Sequence, residues 1–205
     1  MLVKLKFINR SQSADNPEIL IFQKNVATDL DESAVAWKVI KNCGPNSHHP
    51  FVYSTDLQVG ISDDYGNFSP RLNAPSGSLF TVFASASGRQ FCYSGNGSNS
   101  RDISIRNDLP RGAINANIYL DNKLLATKTS VAPGQKALFE FKPTIWIGVM
   151  SQLVQGEVID SAIISSINTE ISLLGIASAT IVMTGGGPGP SSTRYAFALE
   201  DVKKA

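Results

Sequence analysis

Short segments in which apolar and polar residues alternate are the feature that most constrains the fold of this chain. The alternation is clearest in residues 114–120, where nearly every second residue is apolar, as expected for a strand with one buried face. Asp121 and Asn122 tolerate the positive φ of a two-residue hairpin turn, and residues Ala132 to Gln135 predict a second turn. The pattern therefore predicts a three-strand meander over residues 113–142.

Similar segments recur along the whole chain, separated by clusters of Gly, Pro, Asn, Asp and Ser. Such spacing is typical of β-sandwiches and barrels. Further strands are predicted at residues 3–7, 19–22, 35–39, 51–53, 57–61, 79–84, 90–93, 102–106, 145–149, 177–183 and 194–202. The predicted fold class is all-β, an antiparallel β-sandwich in a single domain over residues 1–205. Division into two lobes near residues 107–112 is the alternative, and no internal repeat stands out.

Residues 158–174 fit two patterns. Four isoleucines recur every four residues, as on one face of a helix: Ile159, Ile163, Ile167 and Ile171. Apolar and polar residues also alternate from Ile167 to Leu173, β-branched residues are dense, and Lys and Arg are absent, which favours strands. We expect strands here, with at most one short helix as the alternative.

Composition argues against binding to nucleic acid. Lys and Arg number 18 against 17 Asp and Glu, for a formal net charge of +1, so the chain lacks the basic excess that neutralises phosphates. Charged residues make up only 17%, as expected if Ser, Thr and Asn cover the solvated faces of strands. A net charge near zero also opposes self-association only weakly, and we expect a homo-oligomer or higher assembly.

The N-terminal residues Met1 to Ile8 alternate like a strand and lack the pattern of a secretory signal peptide. No run of about 18 apolar residues predicts a membrane-spanning helix. We therefore expect a protein that is cytoplasmic as synthesised, with release by a non-classical route left open. Cys43 and Cys92 lie far apart in the sequence and are expected to be free thiols.

Residues that could support catalysis are scarce. The only histidines, His48 and His49, are adjacent and would point to opposite faces of a strand. No Gly-x-Ser-x-Gly motif is present, and the stretch from Gly185 to Pro190 lacks the Lys-Ser/Thr of a phosphate-binding loop. We expect no enzyme and no cofactor.

One segment has the oxygen-rich composition of a calcium-binding loop. It contains Asp63, Asp64 and Asn67, with Asp56 upstream, but it lacks the spacing and the closing Glu of an EF-hand. An ordinary hairpin turn is the favoured interpretation, and these four residues are the candidate metal ligands. A second acidic group could join them in space: Asp29, Asp31 and Glu32.

The candidate interface residues are Tyr65, Trp146 and Tyr195. Aromatic rings could stack on sugars, although packing in the core or between subunits is the default expectation. Separately, the segment from Ser161 to Thr184 has the low charge and the alternation of apolar and polar residues that are typical of hairpins that insert into membranes. The same pattern also describes ordinary core strands, which we favour.

Several stretches together resemble a family of uncharacterised microbial all-β proteins: Ile19–Asn25, Ala34–Ile40, Gly112–Asn117, Ser172–Ala179 and Ile181–Pro190. The resemblance implies an all-β fold and transfers no activity, cofactor or site residue. A fainter likeness to cytolytic and lectin-like β-sandwich proteins rests on architecture alone.

These observations predict a non-enzymatic β-sandwich protein that acts through its surface, by self-assembly or by binding a partner. The alternative is a toxin-like protein that forms membrane pores or binds glycans.

Overall fold

The computed structural model describes residues 2–13, 16–28, 34–167 and 169–205. Within these ranges strands are the main secondary structure, with one α-helix and one 3-10 turn at Gly189–Ser191. The strands of the first half of the chain are β1 Leu2–Asn9, β2 Ile19–Phe22, β3 Lys38–Ile40, β4 His48–Ser54, β5 Leu57–Ser62, β6 Leu72–Asn73, β7 Ser78–Ser85 and β8 Gly88–Asn96. Those of the second half are β9 Ile103–Asn107, β10 Ile114–Leu120, β11 Lys123–Val131, β12 Lys136–Phe139, β13 Thr144–Val149, β14 Thr169–Ser172, β15 Ile176–Gly186 and β16 Thr193–Lys204, with helix α1 at Ser161–Ser166 between β13 and β14. The predicted all-β class is confirmed.

The chain divides into two compact units, each containing two four-stranded sheets. Unit 1 consists of residues 1–23, 36–55 and 143–205, and unit 2 of residues 24–35 and 56–142. Residues 107–112, where the sequence suggested a division, lie inside unit 2.

Unit 1 combines strands from both ends of the chain. One sheet has the order β16-β15-β1-β4 and the other β14-β13-β2-β3. In β1, Val3, Leu5 and Phe7 are buried, whereas the alternate residues Leu2, Lys4 and Lys6 are exposed. Trp37 is buried in this unit and contacts the rings of Phe51 and Tyr53 edge-on.

Unit 2 follows the chain from β5 to β12. One sheet has the order β11-β10-β5-β6 and the other β12-β9-β7-β8. Its core includes Phe80, Ile105, Ile118 and Phe139, all almost fully buried. The alternation predicted for 114–120 therefore positions side chains in the core of this unit, although several of its polar positions are buried as well.

The two halves of the chain repeat the same pattern of strand pairing, each strand corresponding to the one eight places later. In unit 2, β7 pairs antiparallel with β8 and parallel with β9, which pairs antiparallel with β12. In unit 1, β15 pairs antiparallel with β16 and parallel with β1, which pairs antiparallel with β4. The second sheets, β6-β5-β10-β11 and β14-β13-β2-β3, are antiparallel throughout. The sequence did not reveal this repeat.

Equivalent buried asparagines anchor equivalent turns in the two units. Asn9 and Asn107 end β1 and β9 and are fully buried. Each side-chain oxygen accepts a hydrogen bond from the backbone N–H two residues later. The side-chain amide of Asn9 donates to the carbonyl of Cys43, just beyond the end of β3. The side-chain amide of Asn107 donates to the carbonyl of Val131, at the end of β11, the strand equivalent to β3.

The backbone of these asparagines also holds the turn that enters the next strand. The carbonyl of Asn9 accepts from the N–H of Asn46, and that of Asn107 accepts from the N–H of Gly134. Asn46 and Gly134 both have positive φ, 63° and 78°, and both follow a proline. Pro followed by Asn or Gly is the preference of a type II turn, so the same local chemistry serves both units.

The predicted meander over 113–142 is wrong in its third strand. β10 and β11 form the expected hairpin, with Asp121 and Asn122 at φ of 50° and 59°. The third strand, β12, pairs instead with β9 in the other sheet. The turn from Ala132 to Gln135 is real, but its hydrogen bonds to Asn107 direct the chain to that sheet, because alternation alone does not specify a strand's partner.

Residues 158–174 contain both elements that the sequence allowed. The expected strands are wrong over Ser161–Ser166, where the chain forms α1, and correct over Thr169–Ser172, which is β14. The helix begins because the side chain of Asp160 accepts a hydrogen bond from the N–H of Ala162, as an N-cap does. It is short, and Ile164 is its buried residue.

Two further expectations concern pairing. The sheets are not purely antiparallel, since β1 with β15 and β7 with β9 are parallel pairs. Cys43 and Cys92 are both free, as predicted. Burial raises the pKa of the Cys43 thiol, so this thiol is poorly suited to act as a nucleophile.

Candidate functional site

A groove of about 430 Å³ lies on the surface of unit 2. Its residues come from the ends of β5, β8 and β10 and from the loop between β5 and β6, so it lies where the edge strand β8 meets the other sheet of the unit. The lining residues are Ile61, Ser62, Asp63, Asn67, Phe68, Ser69, Pro70, Arg89, Gln90, Phe91 and Ile114. We call this surface the unit-2 groove. Its volume is within the range of small-molecule sites.

Asp63 organises the loop that forms one wall of the groove. Its carboxylate accepts hydrogen bonds from the backbone N–H groups of Tyr65 and Asn67 and from the side-chain amide of Asn67. The Arg89 guanidinium approaches the same carboxylate at 3.3 Å. The loop is therefore fixed from within and from the facing strand β8.

These donors lower the pKa of Asp63. The hydrogen bonds from Asn67 lower the pKa most, and the hydrogen bond from Tyr65 and the charge of Arg89 lower it further. All of them favour the ionised form of the carboxylate. Asp63 is therefore a charged, ion-paired residue of the groove wall and not a candidate proton donor at neutral pH.

Two phenylalanines provide apolar surface in the groove. Phe68 is 69% exposed although it is a large aromatic residue. Phe91 is half-buried, and its ring contacts that of Phe80 in the core, with centroids 5.9 Å apart. The groove thus combines a fixed aromatic ring, an exposed one and the polar side chains of Asn67, Arg89 and Gln90.

The structure does not bring the four candidate metal ligands together. Asp63 and Asn67 hydrogen-bond to each other, and Asp64 follows on the same loop with its carboxylate 3.5 Å from the Asn115 amide. Asp56 precedes β5 whereas the loop follows it, a separation of roughly 20 Å for a six-residue strand. Among the described residues, no group of three or more His, Cys, Asp or Glu side chains could hold a metal ion. Asp29, Asp31 and Glu32 lie outside the described residues.

The histidines lie on β4 in unit 1, with His48 exposed and His49 half-buried, whereas Asp63 and Asp64 belong to unit 2. Successive residues of a strand point to opposite faces, as the sequence predicted for this pair. Neither histidine lines the unit-2 groove.

The three candidate interface residues differ in their surroundings. Tyr65 is 89% exposed on the loop beside the groove. Trp146 is half-buried on β13 and stacks on Phe22 with ring centroids 6.5 Å apart. Tyr195 is half-buried on β16, where its ring packs against Gly186 closely enough to exclude a Cβ atom there. Tyr65 therefore remains the best placed of the three to meet a partner.

The glycine-rich stretch from Gly185 to Pro190 ends β15 and enters the predicted connection to β16, which comprises residues 187–192. Gly185 has a φ of 90°, and a Cβ atom there would lie 2.2 Å from the carbonyl oxygen of Arg194. Close approach of the two strands therefore requires glycine at this position. Among the described residues, no helix is long and apolar enough to cross a membrane.

Sequence reasoning singled out Asp63, Asn67 and Tyr65 but missed Phe68 and Arg89. Phe68 follows the turn without any periodic neighbour, and Arg89 lies on a strand 26 residues from Asp63. One signal was available, since the polar turn sequence Asp-Asp-Tyr-Gly-Asn-Phe-Ser-Pro contains two aromatic residues, and binding residues commonly lie on loops. The pairing of Arg89 with Asp63 depends on tertiary structure.

Comparison with known proteins identifies the family. No curated protein and no solved structure matches the chain. The model of one family, RhiA, matches residues 2–186, which include fifteen of the strands described above and leave out β16. The chain belongs to the RhiA family.

Proposed function

We propose that this protein is a non-enzymatic binding protein and that the unit-2 groove is its ligand site. The observation that carries the proposal is the exposed Phe68 ring in a concave surface that also presents Asn67, Arg89 and Gln90. Exposing a large aromatic ring in a groove forgoes the free energy of burying it, and ligand sites commonly combine such a ring with a few polar groups.

The chemistry of the groove favours an uncharged, hydroxyl-rich ligand, and a saccharide fits this description. Asp63 and Arg89 neutralise each other at 3.3 Å, so the groove offers no net charge to an ionic ligand. A sugar ring has an apolar C–H face that packs on an aromatic ring, and its hydroxyls both donate and accept hydrogen bonds. The amides of Asn67 and Gln90 and the remaining N–H groups of Arg89 supply matching partners.

The membrane-insertion alternative, which concerned residues 161–184, gains no support from the pairing of this segment. β15 is an inner strand that pairs with β1 on one side and β16 on the other. Inserting it into a bilayer would require breaking both sets of backbone hydrogen bonds. Release of dye from liposomes tests that alternative directly.

Saturation-transfer NMR with a panel of neutral mono- and disaccharides tests the proposal. We expect at least one to bind with a dissociation constant in the millimolar range, about 4 kcal/mol of binding free energy. Phe68→Ala should weaken that binding by about tenfold or more, as loss of a stacked aromatic contact predicts. Since Phe68 is exposed, the substitution should leave folding intact.

Phe83→Ala is the matched control, because Phe83 is also partly exposed in unit 2 but does not line the groove. It should bind the same sugar as the wild-type protein does. Failure of every saccharide to transfer saturation, or an equal loss of binding in both variants, would refute the proposal.

A further inference from the structure

Strand β8 is the edge of its sheet, in the order β12-β9-β7-β8. Within the described part of the chain it pairs only with β7. Alternate residues of an antiparallel strand direct their N–H and C=O groups to opposite sides, so about half of those groups in β8 face away from β7. Such an edge is a template for a further strand.

The equivalent edge strand of unit 1 shows how such an edge is protected. β16 carries five charged residues: Arg194, Glu200, Asp201, Lys203 and Lys204. It is also irregular, since Asp201 has a φ of 51° and its pairing with β15 shifts register at three points. Charges and bulges are the devices that prevent strands from adding to an edge.

β8 has far less protection. Its nine residues include one charged side chain, Arg89, and its pairing with β7 shifts register once, between Tyr93 and Gly95. From Gly88 to Tyr93 the register is uninterrupted. This run is open, regular and almost uncharged, which are the properties expected of a strand that pairs with another.

The hairpin determines which backbone groups of β8 face outward. Ser85 and Gly88 are opposite each other across the two-residue turn at Ala86 and Ser87, which makes them a hydrogen-bonded pair. Alternation then directs the backbone groups of Gln90 and Cys92 towards β7. Those of Arg89, Phe91 and Tyr93 face away from it.

We propose that β8 pairs antiparallel with β8 of a second copy of this chain, with Phe91 at the centre. This register uses the outward groups of Arg89, Phe91 and Tyr93 and stays within the regular run. It joins two four-stranded sheets into one of eight strands. Arg89, Gln90 and Phe91 also line the unit-2 groove, but the pairing depends on the backbone of the β8 edge and not on a ligand in that groove.

Side chains are compatible with this register. Arg89 lies opposite Tyr93 of the second copy, and the pair occurs twice because of the twofold symmetry. A guanidinium and a phenol ring attract each other, and no like charges face each other. Gln90 lies opposite Cys92 of the second copy, and the backbone groups of both residues point towards β7 of their own copy.

Charge substitution at Tyr93 tests the contact. Tyr93→Lys places a second cation opposite Arg89, whereas Tyr93→Glu places an anion there, and both remove the same ring from the same exposed position. Sedimentation equilibrium under reducing conditions should show a reversible wild-type dimer. The dimer dissociation constant of Tyr93→Lys should exceed that of Tyr93→Glu by about tenfold or more, from two cross-strand pairs.

Cysteine cross-linking tests the register in a Cys43→Ser background. Directly opposite residues whose backbone groups point away from each other have Cα atoms about 4.5 Å apart, within disulfide range. Diamide should therefore oxidise Gln90→Cys to a covalent dimer through Cys92 of the second copy. Ser94→Cys, which would face Cys92 only in a shifted register, should not cross-link.

Three outcomes would overturn the proposal. A wild-type protein that stays monomeric into the millimolar range contradicts it, as does equal dissociation of the two Tyr93 variants. Cross-linking of Ser94→Cys but not Gln90→Cys contradicts the register. Circular dichroism of each variant establishes that folding is retained.

Discussion

Units 1 and 2 have the same strand topology but reach it with different parts of the chain. Unit 2 takes its eight strands from one continuous stretch, β5 to β12, whereas unit 1 combines β1–β4 with β13–β16. Each unit therefore contains four strands from each half of the chain. Two halves that share no evident sequence similarity still form equivalent pairings, so this topology does not require the same sequence in both halves.

The units differ mainly in their loops. β10 and β11 are joined by a two-residue turn, whereas residues 23–37 separate the equivalent β2 and β3. The connection between β5 and β6 carries Asp63 and Phe68 of the groove, whereas the equivalent connection in unit 1 contains α1. Binding residues commonly lie on loops that a shared scaffold positions, and the unit-2 groove follows this rule.

The largest effect is expected from removing the buried asparagines. Asn9→Ala and Asn107→Ala each leave a buried N–H and at least one carbonyl without a partner. Each should lower the free energy of unfolding by about 2–4 kcal/mol. Asn73→Ala, at an exposed position, is the control and should change it by less than about 0.5 kcal/mol.

Two probes of urea unfolding sharpen this comparison. Both tryptophans, Trp37 and Trp146, lie in unit 1, so fluorescence reports on unit 1 while far-ultraviolet circular dichroism reports on both units. Asn107→Ala should lower the fluorescence midpoint only if the units unfold together. A loss below about 1 kcal/mol for either Asn variant would break the equivalence of the two anchors.

A second pair of equivalent residues should differ in a predictable direction. Gly77 and Gly175 precede β7 and β15 with φ of 82° and 70°, and both accept at their carbonyl from the residue after the following edge strand. A Cβ atom at Gly77 would lie 3.1 Å from the carbonyl oxygen of Ser100, whereas one at Gly175 would meet nothing within 4 Å.

Gly77→Ala and Gly175→Ala should each lower the free energy of unfolding by about 1–2 kcal/mol, because Ala disfavours the left-handed backbone. Gly77→Ala should lower it more, because its Cβ atom would also crowd the carbonyl oxygen of Ser100. Thermal or urea unfolding of the two variants provides the measurement. Equal losses would mean that Ser100 moves aside freely.

The third prediction concerns acid stability in unit 2. The folded-state pKa of Asp63 lies below its usual value, so the ionised carboxylate stabilises the fold above about pH 4, where the unfolded chain is also ionised. That stabilisation is lost as the pH falls through the lower folded-state pKa. Asp63→Asn should therefore be less stable than the wild type at pH 7, with the difference shrinking below about pH 4.

Urea midpoints from circular dichroism at several pH values measure this effect. Asp64→Asn removes the same charge from the same loop but keeps the hydrogen bonds of Asp63, so it controls for net charge. A wild-type advantage over Asp63→Asn that persists undiminished at the lowest pH would contradict the assignment.

Strand positions could be predicted from the sequence because alternation is a local property. Most predicted strands, including residues 19–22 and 145–149, match the observed ones closely. Strand partners could not, since Asn107 redirects β12 to another sheet through contacts distant in the sequence. The repeat was hidden because its shared residues are few and scattered. The groove depends on Arg89 meeting Asp63 across unit 2, which no spacing encodes.

The smallest effect is expected at the equivalent turn position that the two units fill with different residues. Asn46 and Gly134 occupy the same turn position at positive φ, after Pro45 and Pro133. Asn adopts a positive φ at a small cost in free energy. Gly adopts it without strain, but its unfolded chain has more conformational entropy to lose on folding, and the two effects offset each other. Asn46→Gly and Gly134→Asn should therefore each change the free energy of unfolding by less than about 0.5 kcal/mol.

Gly134→Ala is the positive control for this swap. A Cβ atom there meets nothing within 4 Å, so its cost of about 1 kcal/mol reports left-handed backbone alone. If Gly134→Asn costs as much as Gly134→Ala, the side chain of Asn gives no advantage in this turn. Equivalence of the two turns would then rest on their backbone hydrogen bonds to Asn9 and Asn107 and not on the residues at the turn itself.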